Sequence, residues 1–379
     1  MKLIHLSDLH IGKRVNEYSM LEDQKYILNQ ILNITDKVSP DCVIIAGDVY
    51  DKTVPPAEAV ALFDDFLVNL SNRNLSVFVI SGNHDSPERI AFGGRLMHSS
   101  KIYMSPVYDG RLSPVTLEDE YGAVNFWMLP FVKPIHVRRF YEETEIISYT
   151  DALRTVIDGL GINPNERNVM ITHQFVTGAE RTESEEISVG GTDNVDVSVF
   201  EVFDYTALGH IHRPQNCKSE KVRYSGTPLK YSFSESKDNK SITVIELKEK
   251  GNISVDIIPL TPLRDMVEIK GKYDEIMLRD FYKNTSLQED YVHITLTDED
   301  DVPDAIGKLR TVYHNLMKLD YDNKRTRSAN SIYVSDDTYK KSPFELFSEF
   351  YEDRNNQPMN KKQSEFIKKL IEEIEEGER

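Results

Sequence analysis

Residues 77–85 read VFVISGNHD, an apolar run that is closed by a polar tetrapeptide. A short run of β-branched and aromatic residues that ends near glycine predicts a buried strand followed by a turn. Gly82 favours a sharp turn because it has no Cβ. The turn presents the side chains of Asn83, His84 and Asp85 at the end of a sheet, where ligand sites lie in α/β folds. This stretch therefore predicts an α/β fold with a site at its strand ends.

Four other motifs follow apolar runs and bring further carboxylates and imidazoles to strand ends. They are Asp8-Leu9-His10, Gly47-Asp48-Val49-Tyr50-Asp51, Thr172-His173-Gln174 and Gly209-His210-Ile211-His212. Half of the 10 histidines of the chain fall in the five motifs. The candidate site consists of the polar side chains Asp8, His10, Asp48, Asn83, His84, Asp85, His173, His210 and His212. One such residue is ordinarily a buried polar group, whereas the whole set indicates a functional site.

The residue types in this set predict a site for two divalent metal ions. Imidazoles, carboxylates and one amide oxygen suit Mn²⁺, Fe²⁺ or Zn²⁺ better than Mg²⁺ or Ca²⁺, which prefer oxygen ligands. None of the motifs contains cysteine, which excludes a thiolate zinc site. The ligands are too many for one tetrahedral ion and sufficient for two. Two ions about 3.5–4 Å apart are the usual arrangement for displacement at phosphorus.

The composition indicates a soluble globular protein with more than one domain. The chain has 379 residues, of which 39% are hydrophobic and 28% charged. No apolar run approaches the length of about 20 residues that a membrane span requires, and the segment before the first strand is too short for a signal peptide. We therefore expect a cytoplasmic protein. The net charge of −18 argues against non-specific nucleic-acid binding, so any DNA surface must be local.

The order of the predicted elements indicates a parallel sheet covered by helices. Apolar runs at 3–7, 42–46 and 77–80 predict three strands, and helical spacing of apolar residues predicts helices between them, the first over 23–38. The runs 242–247 and 253–258 alternate and predict an antiparallel pair near the edge of the sheet.

A boundary is predicted near Pro262, which divides the chain into residues 1–262, 263–330 and 331–379. The middle segment has strand patterns at 266–269 and 291–296 and helix patterns at 275–281 and 304–317, as in a small α+β module. The last segment starts with a linker and contains two amphipathic helices, 343–351 and 362–374. Two such helices bury little alone, so they either bind a partner or dock on their own domain.

The five motifs together resemble the signature of the calcineurin-like metallophosphoesterases over about the first two-thirds of the chain. Further residues resemble the SbcD family of nuclease subunits within that superfamily: Asp8-Leu-His-Ile-Gly-Lys13, Ser81-Gly-Asn-His-Asp-Ser86, Thr172-His-Gln-Phe175, Gly209-His-Ile-His-Arg-Pro214 and Tyr224-Ser-Gly-Thr-Pro228. The serine/threonine phosphatase branch is disfavoured, because Asp51 precedes Lys52-Thr53 instead of Arg-Gly. The resemblance implies a β-sandwich flanked by helices, a small α+β capping domain that contacts DNA, and a helical tail.

The resemblance also implies a role for each matching residue. Asp8, His10, Asp48 and His212 would hold one ion; Asp48, Asn83, His173 and His210 would hold the other, so Asp48 bridges the two. His84 would not bind metal but would stabilise the transition state and protonate the leaving oxygen, with Asp85 orienting its ring. Asp51 either takes part in the site or only caps the following turn.

The implied activity is that of a DNA exonuclease on double-stranded ends and an endonuclease on hairpins, which uses Mn²⁺-assisted attack by hydroxide. The implied partners are an SbcC-type coiled-coil ATPase, bound through the C-terminal helices, and a second copy of the chain. Lys13, Arg14, Arg89 and Arg95 are candidates for DNA contacts, with solvated surface charge as the alternative. Two other functions stay open, a small-nucleotide phosphodiesterase and a non-catalytic DNA-end scaffold.

Overall fold

The computed structural model describes residues 1–180, 193–300, 302–323, 342–355 and 358–377. Two six-stranded sheets pack face to face, and a three-stranded sheet follows them. The strands are β1 (Lys2–Leu6), β2 (Arg14–Val15), β3 (Tyr18–Ser19), β4 (Cys42–Ala46), β5 (Ser76–Ile80), β6 (Ile102–Met104), β7 (Val115–Asp119), β8 (Gly122–Leu129), β9 (Arg167–His173), β10 (Tyr205–Gly209), β11 (Gln215–Cys217), β12 (Ser219–Tyr224), β13 (Ser241–Leu247), β14 (Ile253–Pro259), β15 (Met266–Gly271), β16 (Tyr291–Leu296) and β17 (Asn315–Tyr321).

The first sheet has the strand order β14-β13-β1-β4-β5-β6. Strands β1, β4, β5 and β6 are parallel, as the order of strands and helices predicts, and all residues of β4 and β5 are buried. The antiparallel pair β13 and β14 closes one side of the sheet, with Ile245 opposite Leu3. The prediction of an antiparallel pair at the sheet edge is confirmed.

The second sheet has the order β11-β12-β10-β9-β8-β7 and completes a β-sandwich. Its central strands β8, β9, β10 and β12 are parallel. The layer between the two sheets is apolar, and its centre is the stack of Phe78 on Phe126 with ring centroids 4.3 Å apart. The carboxyl ends of β4 and β9 lie close together at one edge, where His173 Nδ1 is 2.9 Å from the carbonyl oxygen of Ala46.

Helices lie between the strands and near the end of the chain. They are α1 (Leu21–Val38), α2 (Ala57–Ser71), α3 (Pro87–Ala91), α4 (Gly94–Met97), α5 (Pro134–Arg138), α6 (Tyr149–Asp158), α7 (Tyr273–Ile276), α8 (Arg279–Tyr282), α9 (Ala305–Arg310), α10 (Pro343–Asn355) and α11 (Lys361–Gly377). Helices α1 and α2 bury Ile27, Ile31, Phe63 and Phe66 against the first sheet. Helix α6 buries Leu153 and Val156 against the second sheet. No helix in the described ranges is long and apolar enough to cross a membrane.

The small sheet β15-β16-β17 corrects one predicted helix. The pattern over 304–317 predicts a single helix, but α9 ends at Arg310 and β17 begins at Asn315. Apolar residues at these positions fit both the helical and the strand period. Parallel pairing with β17 satisfies backbone groups along one edge of β16, which a longer helix would leave unpaired. Leu316 is buried in this arrangement. The helix predicted over 275–281 is also divided, into α7 and α8, by extended backbone at Leu278.

The small sheet is attached to α1 by polar contacts. Arg264 lies 2.9 Å from a carboxylate oxygen of Asp23, and the hydroxyl of Tyr291 donates to the same oxygen at 2.7 Å. The predicted linker at the start of segment 331–379 lies outside the described residues, and the division at 262/263 stays a prediction. Helices α10 and α11 lie at the positions of the two predicted tail helices, each somewhat longer than predicted.

Candidate metal centre

The candidate site lies where five strands from both sheets end. Asp8 follows β1, Asp48 follows β4, and Asn83 and His84 follow β5 in the first sheet. In the second sheet His173 ends β9, and His210 and His212 follow β10. Four residues of the five motifs have a positive φ that non-glycine residues rarely adopt: Asp8 (53°), His10 (45°), Asp48 (48°) and His210 (106°). Such backbone strain clusters at functional sites, where the surrounding fold enforces it.

Asp8, His10 and His212 form one group of ligand atoms. All three side chains are buried, and each offers one ligand atom, a ring nitrogen or a carboxylate oxygen, that lies within 4.8 Å of the other two. The Nε2 atoms of His10 and His212 are 3.2 Å apart, and His10 Nδ1 is buried without a hydrogen-bond partner. Both carboxylate oxygens of Asp8 accept from the backbone N–H of His210, at 3.0 and 3.2 Å. This bond connects the end of β1 in one sheet to the end of β10 in the other.

Asp48 lies between this group and a second one. Its Oδ2 is 3.6 Å from His10 Nε2 and 3.3 Å from His173 Nε2. On the far side, Asn83 Oδ1 lies 3.0 Å from both His173 Nε2 and His210 Nδ1. One carboxylate thus reaches imidazoles on both sides, which is the position that a bridging ligand needs.

Glycines in three motifs permit the close approach of these strand ends. A Cβ on Gly82 would lie 2.1 Å from Asp48 Oδ1, and a Cβ on Gly209 would lie 1.9 Å from the carbonyl oxygen of Ala46. A Cβ on Gly47 would meet the ring of His173 at 2.4 Å. The sequence predicts a sharp turn at Gly82, but φ is positive only at Gly47 among these three. Gly82 is required because Asp48 occupies the space that a side chain would fill.

The charges of the site favour a bound cation. Burial opposes a charged imidazole at His173, but the carboxylates of Asp48 and Asp8 outweigh it and raise the pKa of the ring to about 9. Burial alone would raise the pKa of the Asp48 carboxyl. The neighbouring imidazoles, above all that of His173, outweigh burial and hold this pKa well below its usual value. Two buried carboxylates therefore attract positive charge at the centre of the site. The donor set, with carboxylates, imidazoles and one amide oxygen, fits divalent ions.

His84 lies at the edge of these groups. Its side chain is 18% exposed, whereas that of Asp48 is 3% exposed. Its Nδ1 donates to the carbonyl oxygen of Asp51 at 3.2 Å, since a carbonyl can only accept. Its Nε2 is therefore directed to the other side and lies 4.0 Å from Asp48 Oδ2.

Asp85 has different partners from those predicted. Its carboxylate accepts from the backbone N–H groups of Val49 (3.1 Å), Tyr50 (2.9 Å) and Gly82 (2.9 Å). The expectation that Asp85 orients the ring of His84 is thus not matched by these contacts, because the carbonyl of Asp51 holds that ring. Asp85 instead ties the loop after β4 to the loop after β5. Burial raises the pKa of its carboxyl to about 6.

The structure brings all nine predicted residues to one edge of the sandwich, and each group of three or more possible ligands in the described residues draws only on them. The candidate DNA-contacting residues differ in their surroundings. Lys13 Nζ is 2.6 Å from Asp51 Oδ1, and Arg14 donates to the carbonyl of Glu17. Arg89 on α3 and Arg95 on α4 are exposed. The Lys13 contact leaves both readings of Asp51 open.

Sequence reasoning missed the residues behind the site. His212 contacts two such residues, Glu235 and Lys240. The loop of His10 is held by two others: Gln24 donates to the carbonyl of His10, and the hydroxyl of Tyr231 donates to the carbonyl of Leu9. None of these residues belongs to any of the five motifs. Only three-dimensional proximity identifies them.

Comparisons with known proteins identify the families whose models match this chain. A family model described as calcineurin-like phosphoesterase matches residues 1–214. A second model, described as Type 5 capsule protein repressor C-terminal domain, matches residues 262–355. A solved dimetal phosphatase from Danio rerio aligns at 11% identity and a TM-score of 0.42, covering 69% of this chain and 98% of its own. The β-sandwich and its strand-end site define a calcineurin-like phosphoesterase.

Two relatives of known family, similar over nearly their whole length, identify the family within the calcineurin-like phosphoesterases to which the chain belongs. The SbcD subunit of nuclease SbcCD from Staphylococcus epidermidis is 31% identical over 379 residues, which cover 98% of both chains. The SbcD subunit of nuclease SbcCD from Staphylococcus saprophyticus is 32% identical over 384 residues, which cover 100% of both. The chain belongs to the SbcD family of nucleases.

Proposed function

We propose that this protein is a Mn²⁺-dependent DNA nuclease of the cytoplasm that works with an SbcC-type ATPase in DNA repair and recombination. It degrades double-stranded ends as an exonuclease and opens hairpins as an endonuclease. The observation that carries the proposal is the position of Asp48 between two groups of ligand atoms, with the more exposed His84 beside it. The module over 263–330 contributes DNA contacts in this proposal.

The ligand sets of this proposal are those that the resemblance to the family implies. Asp8, His10, Asp48 and His212 hold one ion, and Asp48, Asn83, His173 and His210 hold the other. Bound ions lower the pKa of water and neutralise charge on the phosphoryl oxygens. The protein holds its own groups in place through the three backbone bonds to Asp85 and the bond from the His210 N–H to Asp8.

His84 is the acid in this proposal. Its Nδ1–H is committed to the carbonyl of Asp51, so only Nε2 can transfer a proton. Nε2–H donates to the phosphodiester as negative charge develops and then protonates the leaving oxygen.

The test is cleavage of a labelled DNA hairpin and a blunt duplex by the full chain in Mn²⁺, beside a small phosphodiester such as bis-p-nitrophenyl phosphate. We expect cleavage of both DNA substrates. Hydrolysis of the small ester with both DNA substrates left intact, with or without the ATPase, supports a small-nucleotide phosphodiesterase instead. No hydrolysis of any substrate under any divalent metal supports a DNA-end scaffold.

Arg89 and Arg95 are the proposed phosphate contacts, because both are exposed beside the His84 loop while the protein as a whole is acidic. Replacing either with alanine should reduce the slope of log K against log salt by about 1, without a change in metal binding. Lys248→Ala is the control, because Lys248 directly follows β13 at the end of that strand that lies away from the candidate site. An unchanged slope removes that arginine from the interface.

The proposed homodimer uses the segment from α3 to α4. Phe92 and Leu96 are 84% and 83% exposed, an unusual exposure for two large apolar side chains so close in sequence. The apolar stripe of Phe63, Phe66 and Leu70 on α2 is buried in the protein's own core and is not available for a dimer contact. The double replacement Phe92→Ser with Leu96→Ser should give a monomer by light scattering. Ile257→Ser on edge strand β14 should leave the dimer intact, and a dimer in the double variant contradicts this interface.

The C-terminal helices are the proposed surface for the ATPase. They contact each other through the bond from Gln363 to the hydroxyl of Tyr351 and through Lys368 over the ring of Phe344. This pair leaves Phe350 57% exposed and Phe366 64% exposed. A chain that ends at Asp337 should fail to pull down the ATPase yet hydrolyse bis-p-nitrophenyl phosphate normally. Phe350→Ser with Phe366→Ser should weaken binding similarly, and undiminished capture by both variants contradicts the proposal.

A further inference from the structure

Glu235 lies behind His212, on the side away from the other ligand atoms. It ends a short 3₁₀ turn over Phe233–Glu235, which Ser232 caps by accepting from the N–H of Ser234. The side chain is fully buried, and its Oε1 is 3.3 Å from His212 Nδ1. A carboxylate can only accept here, so Nδ1 carries the proton. The lone pair of His212 is thereby fixed on Nε2, the atom that faces His10.

This arrangement gives His212 a different support from that of His173. His173 directs its Nδ1 to a neutral backbone carbonyl, that of Ala46, at 2.9 Å. His212 instead directs Nδ1 to a charged carboxylate. A carboxylate behind a ligating imidazole fixes its tautomer and ring orientation and makes the metal-facing nitrogen more basic. Such a carboxylate would strengthen the binding of an ion by His212 without touching that ion.

Lys240 and Thr227 hold both Glu235 and the backbone of His212. Lys240 Nζ forms an ion pair with Glu235 Oε2 and donates to the carbonyl of His212 at 2.9 Å. The backbone N–H of Thr227 donates to the same carbonyl at 3.1 Å. A buried ion pair seldom stabilises a fold more than apolar residues of similar volume would. The Glu235–Lys240 pair contacts both the ring and the backbone carbonyl of His212, and fixing the orientation of His212 accounts for a buried ion pair at this position.

We propose that Glu235 is a positioning residue that keeps His212 in the tautomer and orientation that bind a divalent ion, with Lys240 holding Glu235 in place. This inference rests on the proposed function, in that His212 binds the ion shared with Asp8 and His10. It adds that affinity at this ion, and not at the one held by His173 and His210, depends on Glu235.

The test measures Mn²⁺ binding to the full chain by titration calorimetry for Glu235→Ala, Glu235→Gln and His212→Ala, and for His212→Ala with Glu235→Ala. Glu235→Ala should raise the Kd of one of the two sites by about 10–100-fold and leave the other unchanged. Glu235→Gln should also raise that Kd, because the ammonium of Lys240 attracts the amide oxygen and leaves the NH₂ group, which can only donate, facing Nδ1. Excess Mn²⁺ should restore the kcat of Glu235→Ala, whereas a general loss of folding would lower it at every concentration.

Asp204→Ala is the matched control. Asp204 is also buried and forms an ion pair with a lysine, Lys250, at 2.7 Å, but it lies at the opposite end of β10 from the site. It should lower the melting temperature without changing either Kd for Mn²⁺.

The double variant distinguishes the positioning role of Glu235 from the ligand role of His212. In the His212→Ala background, Glu235→Ala should change Mn²⁺ binding no further, because its effect passes through His212. An equal loss with or without His212, or no loss in Glu235→Ala alone, overturns the role of Glu235. If His212→Ala itself leaves both sites intact, the proposed ligand set fails, and the inference fails with it.

Discussion

Replacing His84 with glutamine should lower the rate of hairpin cleavage by about 10²–10⁴-fold, the usual contribution of a general acid, while two Mn²⁺ ions remain bound. The reason is geometric. His84 Nε2 is the ring nitrogen not committed to the protein backbone, and it lies 4.0 Å from Asp48 Oδ2 at the more exposed side of the site. Glutamine keeps polarity and similar length but cannot transfer a proton at neutral pH.

The metal count decides between two roles for His84. Together with His10 and Asp48 it also forms a group close enough to hold an ion, so a ligand role is a real alternative. Metal is measured by mass spectrometry after removal of free Mn²⁺, and cleavage is measured at saturating Mn²⁺. His98→Gln, at an exposed histidine outside the motifs, is the control. Loss of one ion together with activity would make His84 a ligand rather than the acid.

The motifs predicted which side chains meet at one edge of the sandwich, because these residues follow strands. A parallel strand has a strong sequence pattern, and its carboxyl end has a defined position in the sheet. Asp8, Asp48 and Asn83 could therefore be expected at one edge of the first sheet without knowledge of the packing of the two sheets. The apolar runs also predicted β1, β4 and β5 for the same reason.

Features that depend on contacts between distant segments could not be predicted in this way. Glu235 reaches His212 from a 3₁₀ turn, which has no periodic signature. Asp85 binds backbone N–H groups of another motif, a partner that side-chain chemistry alone does not suggest. At β17 the helical and strand patterns coincided, and pairing with β16 decided between them. In each case the deciding partner is remote in sequence or is the backbone itself.

Replacing Asp48 with asparagine should remove tight Mn²⁺ binding at both sites and reduce cleavage by about 10³-fold or more, since bound ions supply several kcal/mol of charge stabilisation. The amide has one preferred orientation. Asp48 Oδ1 accepts from the backbone N–H of His84 at 2.9 Å, so the amide oxygen must take that place. The NH₂ group then occupies the position of Oδ2, next to His10 and His173, where it presents hydrogens to the site instead of a charge.

Asp8→Asn is the informative comparison, because the proposed ligand sets use Asp8 for one ion only, whereas its position also groups it with Asp48 and His173. It should weaken mainly one site, whereas Asp48→Asn should weaken both. Calorimetric titration with Mn²⁺ gives the number of tight sites for each variant, and circular dichroism in EDTA checks that the fold persists. One ion held at wild-type affinity in Asp48→Asn would show that Asp48 belongs to a single site, and the two ions would then need another bridging group.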